Sequence, residues 1–220
     1  MGAGDAAFRL ALPLLQRRAM KPCWTLLLLV AGCGGGAAAP AQSTGSVAVA
    51  FAAQALPAGP LSVDNAALVL EDLSLFGDVQ AAPGYMLPDV SVNAFMPTTP
   101  LTMDGLPQGV YSRLRFSVQS LQVSGAWRGH SLVVDLVDRD DDDDVVADLR
   151  ASSGRELNAG ETIRFAVTID VAAWFANIDL DEAAVDSDDD CIRLGNGYNG
   201  ALVPAVLAAL PTSFQLTTPQ

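Results

Sequence analysis

The chain has 220 residues, half of them apolar, and a formal net charge of −13. That length supports one domain with a sizeable core, and that charge repels phosphate backbones and anionic headgroups, which excludes nucleic acid as a partner. One histidine and three cysteines leave no basis for a zinc, copper or haem centre built on those residues.

In chain order the first feature is a basic, then apolar, then small-residue segment. Arg17, Arg18 and Lys21 precede the apolar run from Trp24 to Ala31, far shorter than the ~20 residues that span a bilayer. This is the layout of a secretory signal over residues 1–32, with Met20 an alternative start. "VAGC", Val30 to Cys33, resembles the lipobox of bacterial lipoproteins. The resemblance implies that Cys33 carries diacylglycerol and begins the mature chain, and that Gly34 directs the protein to the outer membrane, facing periplasm or cell surface. Several acyl chains meet the requirement for stable anchoring. The mature part would carry eight arginines, no lysine and 24 acidic residues, a formal charge of −16. Of the cysteines only Cys191 remains outside the signal and anchor, so it reads as a small buried hydrophobe.

Residues 33–45 form the lipidated cysteine and a Gly/Ala-rich linker, and 46–220 a single domain. "SVAVAF" places Val47, Val49 and Phe51 on one face, and "NAALVLEDLSLFG" is a second strand. Proline-rich loops follow around 83–100. "LTMDGLPQGVYSRLRFSV" reads as strand, turn, strand, broken at Asp104-Gly105 and Pro107. Leu114, Phe116 and Val118 alternate, then Leu121 and Val123 alternate in the opposite phase, which predicts a bulge near Gln119-Ser120. "HSLVVDLV" and "VVADLRA" are expected to pair across the aspartate run between them. "ETIRFAVTID" turns Ile163, Phe165, Val167 and Ile169 inward. Asp170 is a cap for a short turn "VAAWFAN", and Asn199 for a helix "GALVPAVLAAL" interrupted by Pro204. Short strands with Gly/Pro turns and little helix predict an all-β fold, an antiparallel β-sandwich with short C-terminal helical segments.

"LPQGVY" at 106–111, "IRFAVTIDVAAWF" and "IRLGNGYNGALVPAVLAALPTSFQL" resemble a family of bacterial lipoprotein domains. The resemblance implies a transthyretin-like or carbohydrate-binding-like β-sandwich and supplies no catalytic residues.

Two acidic segments point to calcium, which takes six to eight oxygen ligands. Asp138, Asp140, Asp142 and Asp144 alternate through "DRDDDDD", and Asp186, Asp188 and Asp190 repeat the D-x-D-x-D spacing. Neither is an EF-hand: the sixth and twelfth positions hold Asp143 and Leu149 in one, Cys191 and Gly197 in the other. The competing reading is a solvated hairpin tip and a surface loop. His130 lacks a nucleophile-elbow context. Trp174-Phe175 reads as core, whereas Trp127, in the polar turn "SGAWRGH", is the better exposed aromatic for stacking on sugar. The expected protein is therefore a lipid-anchored envelope module that binds or supports a partner, with calcium a candidate cofactor and carbohydrate or another envelope protein a candidate partner. The alternatives are a hydrolase using paired carboxylates, which needs one buried in a convergent pocket, and a carbohydrate-binding module, which needs Trp127 on a groove.

Overall fold

A computed structural model describes residues 44–77, 86–96, 99–136, 145–195 and 197–219. The expected anchor Cys33 and the first acidic series Asp138, Asp140, Asp142 and Asp144 lie outside the described residues.

Two sheets pack face to face. The first contains β1 (Thr44–Ala53), β5 (Leu101–Pro107), β9 (Thr162–Ile169) and β12 (Phe214–Thr217), in the order β12-β9-β1-β5. The second is built on two long strands, β2 (Leu61–Gly77) and β6 (Gly109–Trp127), which pair along their whole length. Beside β2 lie β3 (Met86–Leu87) and β4 (Val90–Asn93), and beside β6 lie β7 (His130–Leu136) and β8 (Val145–Leu157). Beyond β7 come β11 (Cys191–Leu194) and β10 (Val185–Asp186). The remaining elements are a 3-10 turn at Val171–Phe175, the helix α1 (Val203–Ala209) and a second 3-10 turn at Leu210–Thr212. The all-β sandwich with short C-terminal helical segments is what the alternation predicts. Most pairings are antiparallel, but β1 with β9 and β7 with β11 are parallel.

The core follows from period-two patterning. Val47, Val49 and Phe51 are buried on β1, as are Ile163, Phe165, Val167 and Ile169 on β9. They meet Leu114, Phe116 and Val118 of β6 across the interior. The Phe116 ring joins the sheets, edge-on to Phe51 at 6.0 Å and to Phe214 at 5.2 Å, a geometry that adds about 0.5–1.5 kcal/mol per pair beyond burial.

The predicted bulge in β6 is present. Val69 pairs with Ser120 and Leu70 with Val118, so Gln119 is the extra residue, and the inward set moves from Leu114, Phe116 and Val118 to Leu121 and Val123. At that same point β6 exchanges its neighbour, from β8 up to Val118 to β7 from Leu121.

Several expectations need correcting. The strands flanking the aspartates do not pair with each other among the described residues: β7 and β8 run in tandem along one edge of β6. Asp104-Gly105 is not a turn but a bulge within β5, two residues opposite Ser46, with Gly105 at φ 74 and the Ser46 hydroxyl donating to Asp104 Oδ1 at 2.6 Å. The chain turns instead at Gln108, passing from one sheet to the other, so β5 and β6 are not partners. The proline-rich stretch contains β3 and β4, strands too short to show alternation. Asp170 does cap its turn, its Oδ1 accepting from the Ala173 amide at 3.2 Å. Asn199 does not cap α1, which starts at Val203 with Pro204 in its first turn, where proline forfeits no hydrogen bond.

Candidate functional site

The hairpin joining β6 to β7 has a two-residue turn, Arg128-Gly129, between the paired residues Trp127 and His130. Both turn residues have positive φ, 49 and 96 respectively, the type I′ geometry that matches the twist of antiparallel strands. This turn folds Arg128 back over its own neighbour: the guanidinium lies 5.7 Å from the Trp127 ring centroid and 2.8 Å from Asp181 Oδ2. The other oxygen of Asp181 accepts from Trp127 Nε1 at 2.8 Å. The indole is therefore held by a carboxylate at its edge and a cation over one face.

Trp127, half-buried, forms one wall of a groove of about 430 Å3, within the range of small-ligand sites. Leu56, Pro57 and Pro60 of the β1–β2 connection form another wall, and Phe175 and Ile178 the third. The lining is predominantly apolar, while Arg128 and Asp181, 60% and 44% exposed in their side chains, stand beside Trp127 outside that lining. Asp181 keeps lone pairs beyond its two bonds, and Arg128 keeps further N–H donors. An aromatic wall with an exposed donor and acceptor at its edge suits a ligand with both C–H and hydroxyl faces.

Trp174 and Phe175 are buried as expected; Trp174 Nε1 donates to the buried Ser213 hydroxyl at 2.7 Å, which donates to the Leu210 carbonyl at 2.8 Å. Phe175 also reaches the groove. Cys191 is free and buried, and burial raises its thiol above the ordinary range.

The second acidic series is brought together with Arg193 and His130. Arg193 bonds Asp189 through both terminal nitrogens and lies 3.5 Å from Asp186 Oδ2; its hydrogen bonds hold the Asp189 carboxyl below the usual carboxylate range. Asp190 Oδ1 lies 2.7 Å from His130 Nδ1, and Asp186 Oδ1 accepts from the Asp188 amide at 3.1 Å. Asn199, at φ 44, spends its side-chain amide on Ala184 and on the Arg193 carbonyl, which explains why it is not free to cap α1. Among the described residues no group of three or more His, Cys, Asp or Glu side chains converges on a point where a metal could sit. No described carboxylate is buried; among the described residues the buried side chains with polar groups are Ser117, Ser213, Tyr111, Trp174 and Cys191.

Of the groove, sequence reasoning singled out Trp127 alone. Its companions come from three separated segments, and only the Arg-Gly pair after Trp127 hinted at a tight turn that would return a cation to the ring. Among the described residues no helix is long and apolar enough to cross a membrane. Fold and groove define an all-β sandwich with an aromatic-walled surface site. No known protein family matches the chain, and neither a curated protein nor a solved structure matches it significantly.

Proposed function

We propose that the protein is a lipid-anchored binding module of the bacterial cell envelope, tethered through Cys33 at the outer membrane, that takes a sugar-containing ligand on Trp127. The observation that carries this reading is the position of Trp127 on a groove, its edge fixed by Asp181 and Arg128 packed over its ring. Stacking of a pyranose C–H face on the indole supplies the apolar contact, and the exposed ion pair beside the indole satisfies hydroxyls. Every described carboxylate is exposed or half-buried, whereas a general acid for glycoside hydrolysis needs a desolvated one; this supports binding over hydrolysis. Calcium enters this reading as a stabiliser of the 138–144 segment alone, not as part of the groove or of the 186–190 loop.

The test uses fluorescence of the full-length protein in detergent. After signal removal two tryptophans remain, of which Trp174 is fully buried, so acrylamide quenching reports on Trp127. A glycan that docks there reduces quenching, and Trp127→Ala lowers its affinity about tenfold or more. Absence of protection across cell-wall and extracellular polysaccharides would sink the glycan reading. The anchor is tested separately: Cys33→Ser releases the protein from membranes, and continued membrane retention speaks against lipidation.

A further inference from the structure

The outer face of the eight-stranded sheet holds a second hollow, about 230 Å3, that shares no residue with the Trp127 groove. Asp72, Ser74 and Phe76 of β2 and Arg115, Phe116 and Ser117 of β6 line it. A bulge opens it: Glu71 pairs with Ser117 and Ser74 with Arg115, so three steps on β2 face two on β6. Asp72 absorbs the extra residue at φ 53, a left-handed conformation that is uncommon for a non-glycine residue and that re-aims a side chain. Strained positions of this kind gather at functional sites.

Opposite charges and two hydroxyls face one small space. Arg115 is exposed and forms no ion pair among the described residues. Its cross-strand neighbour Asp148 is occupied by Arg113, through Nε at 2.5 Å and through a second nitrogen. Ser117 is 9% exposed, and its hydroxyl has no hydrogen-bond partner among the described residues. Buried hydroxyls without partners are uncommon in native folds, so this one points to a group that meets it. The Ser74 hydroxyl already donates to the Asp72 carbonyl at 2.9 Å, which leaves its oxygen as an acceptor.

We propose that this cleft binds a small zwitterion, an α-amino acid with an apolar side chain. Its carboxylate sits on Arg115 and the Ser117 hydroxyl, its ammonium on Asp72 and the Ser74 oxygen, and its side chain against Phe76. The volume is below that of drug-sized sites and suits a ligand of that size. A simple anion leaves Asp72 facing it with like charge, and a simple amine leaves Arg115 unpaired, so recognition requires both charges.

Calorimetric titration of the full-length protein in detergent with valine tests this, with isovalerate and isobutylamine as its single-charge counterparts. Valine or leucine binds saturably, and each counterpart binds about tenfold or more weakly. Arg115→Met abolishes binding, and Asp72→Asn weakens valine while strengthening isovalerate, which no longer meets a like charge. Ser117→Ala weakens valine and carries the test should the arginine variant fail to fold. Trp127→Ala leaves valine binding intact, so the outcome is independent of the glycan reading. The proposal is overturned if no apolar amino acid gives saturable heat up to about 10 mM, well above the weakest affinity such a site would need. It is equally overturned if isovalerate binds as tightly as valine or if folded Arg115→Met binds normally.

Discussion

The Tyr111 phenol donates a hydrogen bond of 2.8 Å to the carbonyl of Pro107, four residues earlier, across the turn that carries the chain from one sheet to the other. Tyr111 is 2% exposed, so its ring fills the corner while its hydroxyl fixes the turn. This is the physical content of the Leu-Pro-x-Gly-x-Tyr stretch: the tyrosine locks the sheet-to-sheet corner, much as tyrosine corners do in other sandwiches. Tyr111→Phe keeps the ring and loses the bond, at about 1 kcal/mol, which for a domain of this size lowers the melting temperature by about 2–4 °C. Tyr111→Ala also removes the ring and costs about 3–5 kcal/mol. Urea and thermal denaturation of the two variants check the ranking.

The same burial makes the corner sensitive to alkali. Desolvation raises the Tyr111 phenol above its ordinary value of 10.0. The unfolded chain therefore releases this proton first. The stabilisation is full below about pH 10 and declines as pH rises towards the folded value. Melting temperatures measured from pH 8 to 11 should fall less steeply in Tyr111→Phe than in the parent. An equal slope would mean that other groups carry the alkaline loss.

Ser213 is the only acceptor that the fully buried Trp174 indole has for its N–H among the described residues, and Ser213 is 2% exposed. Ser213→Ala strands a buried donor and costs about 1–3 kcal/mol. Trp174→Phe removes the donor but opens a cavity. Because the two side chains share one bond, the double variant is less destabilised than the sum of the singles. A double-mutant cycle from denaturant melts gives the coupling; additivity within about 0.3 kcal/mol would show the bond to be energetically idle.

Alternation made the core legible wherever a strand buries one face, as in Ile163 to Ile169, and a phase slip disclosed the bulge at Gln119. A similar slip stands in β2, where Leu68 and Leu70 give way to Leu73 and Leu75, and the break in the pattern falls at Asp72. What alternation cannot carry is partner choice. The parallel pairing of β1 with β9 joins residues more than a hundred positions apart, and nothing local in "SVAVAF" specifies it. Asp104-Gly105 has the composition of a turn, but pairing with β1 absorbs it as a bulge. Of the groove, Trp127 was visible because it stands in a polar segment; Leu56, Pro60 and Phe175 join it only through tertiary structure.

Arg193 already engages Asp186 and Asp189, and His130 contacts Asp190, so these carboxylates have side-chain partners without an ion. A calcium site there would have to displace them, and a buffer containing EDTA leaves them unchanged. The expected result is that Asp186→Asn, Asp188→Asn and Asp190→Asn together leave any calcium-dependent shift in melting temperature as it is in the parent. Thermal melts in EDTA and then in millimolar calcium measure it, since a ligand at a hundredfold excess over Kd adds about 2.7 kcal/mol. Loss of a calcium shift in the triple variant would return the ion to this loop.

The tandem arrangement of β7 and β8 changes what the aspartate run has to do. Were its flanking strands a hairpin, residues 137–144 would set their register, and shortening them would disturb the pair. Both strands instead take their register from β6, where Leu136 faces Leu121 and Val145 faces Val118. Those partners are three residues apart, about 10 Å along the strand, a gap that four residues can cross at about 3.3 Å each. Replacing 137–144 with Gly-Ser-Gly-Ser is therefore expected to preserve the fold. Halving the connection gains about 0.6 kcal/mol in closure entropy, and removing six aspartates relieves like-charge repulsion at low salt. The melting temperature in EDTA should be equal to or above that of the parent, with the larger difference at low ionic strength. A pronounced fall in EDTA would show that these residues support the sheet by contacts of their own rather than merely joining two segments already aligned by β6.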